Sequence, residues 1–156
     1  MSERPQDGDP APDFSMPTDP DGTVTLTSLK GNPVVLYFYP KDDTPGCTTE
    51  AIDFTGLKAA FDALGATIVG VSPDPVAKHA KFRAKHDLAV ILASDEDHAV
   101  AERYGVWVEK NMYGRKFMGI ERSTFLIDAE GRLARVWRKV RVKGHADAVL
   151  DALKAL

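Results

Sequence analysis

The side chain best suited to nucleophilic chemistry is Cys47, the single cysteine among 156 residues. It stands in the stretch Pro40-Lys41-Asp42-Asp43-Thr44-Pro45-Gly46-Cys47-Thr48-Thr49-Glu50. The thiolate, not the thiol, is the nucleophile, so the question is whether the surroundings favour an anion. Thr44 supplies a hydroxyl one helical turn before the sulfur, close enough to donate to it or to a bound oxygen. Pro40 and Pro45 stiffen the loop and remove two backbone donors, and Gly46 leaves room for a small ligand to approach the backbone. A lone cysteine is more often an inert buried side chain than a reactive one. Its place in the fold decides between the two.

Two elements must position it. Pro33-Val34-Val35-Leu36-Tyr37-Phe38-Tyr39 is a continuous apolar run closed by Pro40, the pattern of a fully buried strand. Downstream, Phe54, Leu57, Phe61 and Leu64 recur at three- and four-residue steps, the stripe of one long helix packed on a sheet, with Gly65 as its stop. Cys47 then falls in the first turn of that helix, where backbone N–H groups lack partners and the helix carries partial positive charge. That location reverses the odds in favour of a reactive cysteine.

The loop pattern Pro40, Thr44, Cys47, with Glu50 following, resembles the active-site loop of the peroxiredoxins, in the branch called bacterioferritin comigratory protein or peroxiredoxin Q. The likeness extends to Ala11-Pro12-Asp13-Phe14, to Tyr104-Gly105-Val106-Trp107 with Glu109-Lys110 and Tyr113-Gly114, and to Gly119-Ile120-Glu121-Arg122-Ser123-Thr124-Phe125-Leu126-Ile127-Asp128. It implies a thiol-dependent peroxidase acting on hydrogen peroxide and alkyl hydroperoxides. Cys47 would be the peroxidatic nucleophile that becomes a sulfenic acid. Thr44, the Gly46 and Cys47 N–H groups and Arg122 would be donors to the reacting oxygens, Glu50 the holder of the arginine, and Pro40 a shield against water. Apart from the resemblance, Arg122 reads as an ordinary surface ion-pair arginine, and Glu50 suits the first turn of any helix.

In one respect the sequence departs from the branch. Many relatives carry a second cysteine five residues after the first; here that position is Ile52. The chain looks like a one-cysteine type whose oxidised sulfur must meet an external thiol: thioredoxin, glutaredoxin, glutathione, or Cys47 of another chain. The missing partner also keeps alive a second reading, a non-catalytic redox sensor or thiol switch.

The remaining chain reads as alternating strands and helices. Phe14–Pro17 and Thr23–Leu26 flank the turn Asp19-Pro20-Asp21-Gly22, an N-terminal hairpin. Ala66–Ser72 is a second buried strand. A helix from Pro73 to about Lys85 offers Val76, Ala80 and Phe82 to a core, and Leu88–Ala93 is a third strand. Asp95-Glu96-Asp97 opens a helix ending near Tyr104. Val106–Gly119 has no clear period and reads as a strand end and loop. Strands Arg122–Ile127 and Leu133–Arg138 follow, and a last helix presents Ala146, Val149, Leu153 and Leu156. The pattern is that of a three-layer α/β/α sandwich; the resemblance specifies a thioredoxin-like fold with a mixed central sheet. One domain over residues 1–156 is expected, with 1–10 a mobile arm.

Composition narrows the partners. With 20 basic and 23 acidic residues the formal net charge is −3, too mild for a nucleic-acid or membrane surface. The basic run Arg132, Arg135, Arg138, Lys139, Arg141 and Lys143 reads as a solvated face. The four histidines lack companions at metal-ligand spacing, so neither a metal nor another cofactor is expected. No apolar run spans a membrane and no signal segment is evident. A cytoplasmic protein is expected, a monomer or at most a weak dimer.

Overall fold

The computed structural model describes residues 4–19 and 22–156; Pro20 and Asp21 of the first expected turn lie outside them. The strand before the cysteine loop, β3 (Val34–Phe38), is an interior strand of a seven-stranded sheet. Its side chains alternate between two cores. Val34, Leu36 and Phe38 enter one, and Val35, Tyr37 and the following Tyr39 the other. A strand buried on both faces is why this stretch shows no polar alternation.

Two strands run parallel to β3 on one side: β4 (Thr67–Ser72) beside it, then β5 (Ile91–Ser94). On the other side β8 (Ser123–Ile127) is antiparallel to β3, and β9 (Leu133–Trp137) is antiparallel to β8. The hairpin β1 (Ser15–Asp19) and β2 (Gly22–Thr25) completes the opposite edge, with β1 antiparallel to β5. The result is the expected mixed sheet of a thioredoxin-like α/β fold.

Helices α2 (Pro45–Gly56), α3 (Lys58–Ala63), α4 (Val76–His86) and α6 (His145–Lys154) supply the second core with Phe54, Phe61, Phe82 and Val149. The short α1 (Leu26–Leu29) and α5 (Ala99–Arg103) close the other face with Leu26, Val100 and Ala101.

Four expectations need correction. The long helix is broken at Leu57, after Thr55 and Gly56, two poor helix formers. Its stripe is therefore Cys47, Glu50, Ala51 and Phe54, while Leu64 is exposed. On α4 it is His79 and Phe82 that are buried; Ala80 faces solvent. Val106–Gly119 is not a loop but the ribbon β6 (Trp107–Met112) and β7 (Arg115–Ile120), turned by Tyr113 and Gly114, both at positive φ. Leu156, expected on the apolar face of the last helix, lies beyond α6 and is exposed.

Arg4 to Pro10, part of the expected arm, lies against β9 and its neighbours. Gly8 and Leu133 are joined by a backbone hydrogen bond of 2.7 Å, Leu133 returns one of 2.8 Å to Asp9, and Arg138 donates to the Pro5 carbonyl at 2.7 Å. This also accounts for part of the basic run, since Arg138 reaches inward rather than out to solvent.

Candidate active site

Cys47 sits at the third position of α2, the helix that follows the carboxyl end of β3. Pro45 occupies the first position, where its missing N–H is no loss. No side chain caps this end, so the Gly46 and Cys47 N–H groups are free to face an anion. The Thr44 hydroxyl, expected to face the sulfur, donates instead to the Lys41 carbonyl at 2.9 Å. Its lone pairs remain able to accept a hydrogen bond from a bound molecule.

Arg122 reaches the same point from far along the chain because β8 is antiparallel to β3. The register pairs Phe38 with Ser123, which sets the residue before β8 beside the loop after β3. Arg122 Nη2 lies 3.2 Å from Cys47 Sγ and Nη1 donates to Glu50 Oε1 at 2.6 Å. A fixed cationic fork against sulfur is placed to meet negative charge that develops there. The guanidinium also crosses Gly46: a Cβ there would stand 3.3 Å from Nη2. The room at Gly46, read from sequence as space for a ligand, thus accommodates the arginine.

Glu50 is 1 % exposed, and its Oε2 has no hydrogen-bond partner among the described residues. Burial pushes its carboxyl up to about 7, although Arg122 acts in the opposite direction. For Arg122, burial opposes the charge, but Glu50 and Cys47 outweigh it and hold the guanidinium above its ordinary value. Half-buried Pro40 follows β3 and ends the buried run. Cys47 itself is only 2 % exposed, so the thiol is open to a small molecule before a large one. Next to it an open groove of about 830 Å³ runs from Pro45 and Gly46 past Ile52 to Asp147.

Two features of the site were not read from the sequence. His145, at the start of α6, sits edge-on to Phe54 and Trp137, with Nε2 2.7 Å from Thr124 Oγ1. Burial, helped by the Arg122 charge, lowers its pKa to about 4, so it is neutral beside the arginine at physiological pH.

The second feature is a buried network beneath the loop. Asp42 accepts from the Tyr39 hydroxyl at 2.6 Å, and its second oxygen lies 2.6 Å from His79 Nδ1. His79 Nε2 faces the Ala93 carbonyl at 3.0 Å, and the Asp42 N–H donates to Asp74 at 2.7 Å. These bonds fix the backbone two residues before Thr44 to α4 and to the ends of β4 and β5. His79→Ala leaves the Asp42 carboxylate buried without its main partner, and is expected to destabilise the fold by about 3–5 kcal/mol. Chemical denaturation of the two proteins measures this.

Among the described residues no group of three or more His, Cys, Asp or Glu is placed to hold a metal ion, and no helix is long and apolar enough to cross a membrane.

A buried thiol at a helix start, 3.2 Å from an arginine on a mixed α/β sheet, is an arrangement suited to a cysteine nucleophile. The profile of the AhpC/TSA family matches residues 8–136, and the chain belongs to that family. It is 53 % identical over 147 residues to "Peroxiredoxin Bcp" of Bacillus subtilis, covering 94 % of each chain. A solved structure of peroxiredoxin Q from Xanthomonas campestris superposes with a TM-score of 0.88 at 51 % identity, covering 91 % of this chain and 90 % of that one. For PrxQ of Xylella fastidiosa the TM-score is 0.92 at 40 % identity, covering 99 % and 98 %. Another Xanthomonas campestris structure is described by the alkyl peroxide reduction activity of its bacterioferritin comigratory protein.

Proposed function

We propose that the chain reduces hydrogen peroxide and alkyl hydroperoxides at Cys47 and is restored by an external thiol. The thiolate attacks one peroxide oxygen. An S–O bond forms, the O–O bond breaks, and the departing oxygen takes a proton to leave as water or alcohol, with the sulfur oxidised by two electrons to a sulfenic acid. Arg122 stabilises the charge as it moves from sulfur to the leaving oxygen, together with the Gly46 and Cys47 N–H groups. The Thr44 hydroxyl accepts from the incoming peroxide or, turned from Lys41, donates to it. Glu50 orients Arg122, and Pro40 shields the loop. The observation that carries this reading is the 3.2 Å contact between Arg122 and Cys47.

No second cysteine exists to resolve the sulfenic acid, and Ile52 is 45 % exposed on α2. A first external thiol therefore attacks Cys47 sulfur and expels water, and a second thiol releases reduced Cys47 and a disulfide. Thioredoxin, glutaredoxin and glutathione are the proposed donors, in a reducing cytoplasm. The test is peroxide consumption by substoichiometric protein with each donor in excess. Many peroxides removed per Cys47 are expected with at least one. Oxidation that stops at one equivalent with all three favours the sensor reading, in which the altered cysteine changes a partner contact.

A further inference from the structure

The ribbon β6–β7 is held at its base and open to solvent at its tip. Ile120 is buried, Trp107 stacks on His98 with 3.8 Å between ring centres, and every residue from Asn111 to Met118 is exposed. Among these are Met112, Tyr113, Phe117 and Met118, with Tyr113 at the turn 97 % exposed. Large apolar side chains grouped on a surface mark a place where something binds.

The strand register sorts the two faces of the ribbon. Lys110 stands opposite Phe117 and Met112 opposite Arg115, and directly opposed side chains share a face. A Cβ at Gly119 would meet Lys110 Cδ at 3.3 Å and Phe117 Cε2 at 3.6 Å, so these two side chains do lie together. That face carries apolar and cationic groups and no acid. On the other face the acid is Glu109, with Lys116 3.7 Å away. Lys110 and Arg115 have no ion pair or hydrogen bond among the described residues. The net charge of −3 thus averages over a chain whose ribbon tip is cationic.

The shape and charge of the tip select its occupant. A second copy in a two-fold pairing would set Arg115 and Lys116 against their own counterparts, which repel. A stable contact with a folded protein draws on roughly 20–30 residues and about 800 Å² per side, more than the eight residues 111–118 offer. A bilayer surface suits both features. It takes up aromatic and apolar side chains at headgroup depth, and its anionic lipids attract clustered Lys and Arg. We propose that the β6–β7 tip docks on an anionic phospholipid surface, with Met112, Tyr113 and Phe117 entering the headgroup layer and Lys110, Arg115 and Lys116 facing lipid phosphates. The tip shares no residue with the Cys47 site, and the proposal does not depend on the chemistry there.

Co-sedimentation of the full chain with vesicles tests it, using mixed phosphatidylglycerol and phosphatidylcholine against phosphatidylcholine alone. Wild type should bind the anionic vesicles at low salt and be released as salt rises. Arg115→Glu with Lys116→Glu should weaken that binding at least about tenfold. Tyr113→Ser with Phe117→Ser should weaken it severalfold. All four side chains are exposed, so the thermal unfolding midpoint should not move. A wild type that ignores anionic vesicles would overturn the proposal. So would binding that survives both double variants, or binding equal on the two kinds of vesicle. Binding to polyglutamate as tight as to vesicles, and untouched by Tyr113→Ser with Phe117→Ser, would assign the tip to an acidic protein partner instead.

Discussion

Cys47→Ser should abolish peroxide turnover while leaving the fold intact. The substitution exchanges one small atom at a site that is 2 % exposed, so packing changes little. A serine hydroxyl is not ionised at neutral pH and cannot pass through a sulfenic acid. The chain holds no other thiol to substitute for it. Peroxide consumption with an external thiol should fall to the rate of the thiol alone, with an unchanged thermal unfolding midpoint. Persisting turnover would place the chemistry elsewhere.

The second large effect is expected at Arg122. Its fork has one N–H on the nucleophile and another on the carboxylate that orients it. Removing one donor aimed at developing charge in a site shielded from water slows reactions by about 10²–10³-fold. Arg122→Ala should therefore reduce kcat/KM for hydrogen peroxide by at least about a hundredfold. Arg122→Lys keeps the charge but not the two-pronged geometry, and should fall between. Glu50 softens the structural consequence. With its carboxyl already raised to about 7 by burial, it can take up a proton when the guanidinium is gone. A rate within a few-fold of wild type in Arg122→Ala would mean that the contact to sulfur is structural only.

How much of this was legible beforehand follows from the range of the interactions. Residues Val34–Tyr39 show their burial in their own composition, and the apolar spacing that follows the loop announces a helix, so the strand, the approximate helix start and Cys47 could be read locally. Arg122 could not be placed by local patterning, since it meets Cys47 only through the antiparallel register of β3 and β8; the family resemblance supplied it. The ribbon β6–β7 was missed because its turn uses Tyr113-Gly114 instead of a stronger pair such as Asn-Gly, and because its strands lack alternation. His79 and Asp42 were passed over for a related reason: a buried hydrogen-bonded pair between a loop and a helix leaves no periodic mark. The Thr44 hydroxyl shows the reverse failure. Its position in the loop was right, but the nearby Lys41 carbonyl is the partner it has taken.

The most direct measurement is rapid mixing of the reduced protein with hydrogen peroxide, following tryptophan fluorescence. Trp137 lies edge-on to His145, 5.7 Å between ring centres, and packs against the same core that holds Cys47, so its fluorescence is suited to report on the oxidation. A second-order rate far above that of a free thiol, with one oxygen added to Cys47 by mass, is the predicted result. A rate equal to that of a free thiol would contradict it, leaving the geometry of the site without its chemistry.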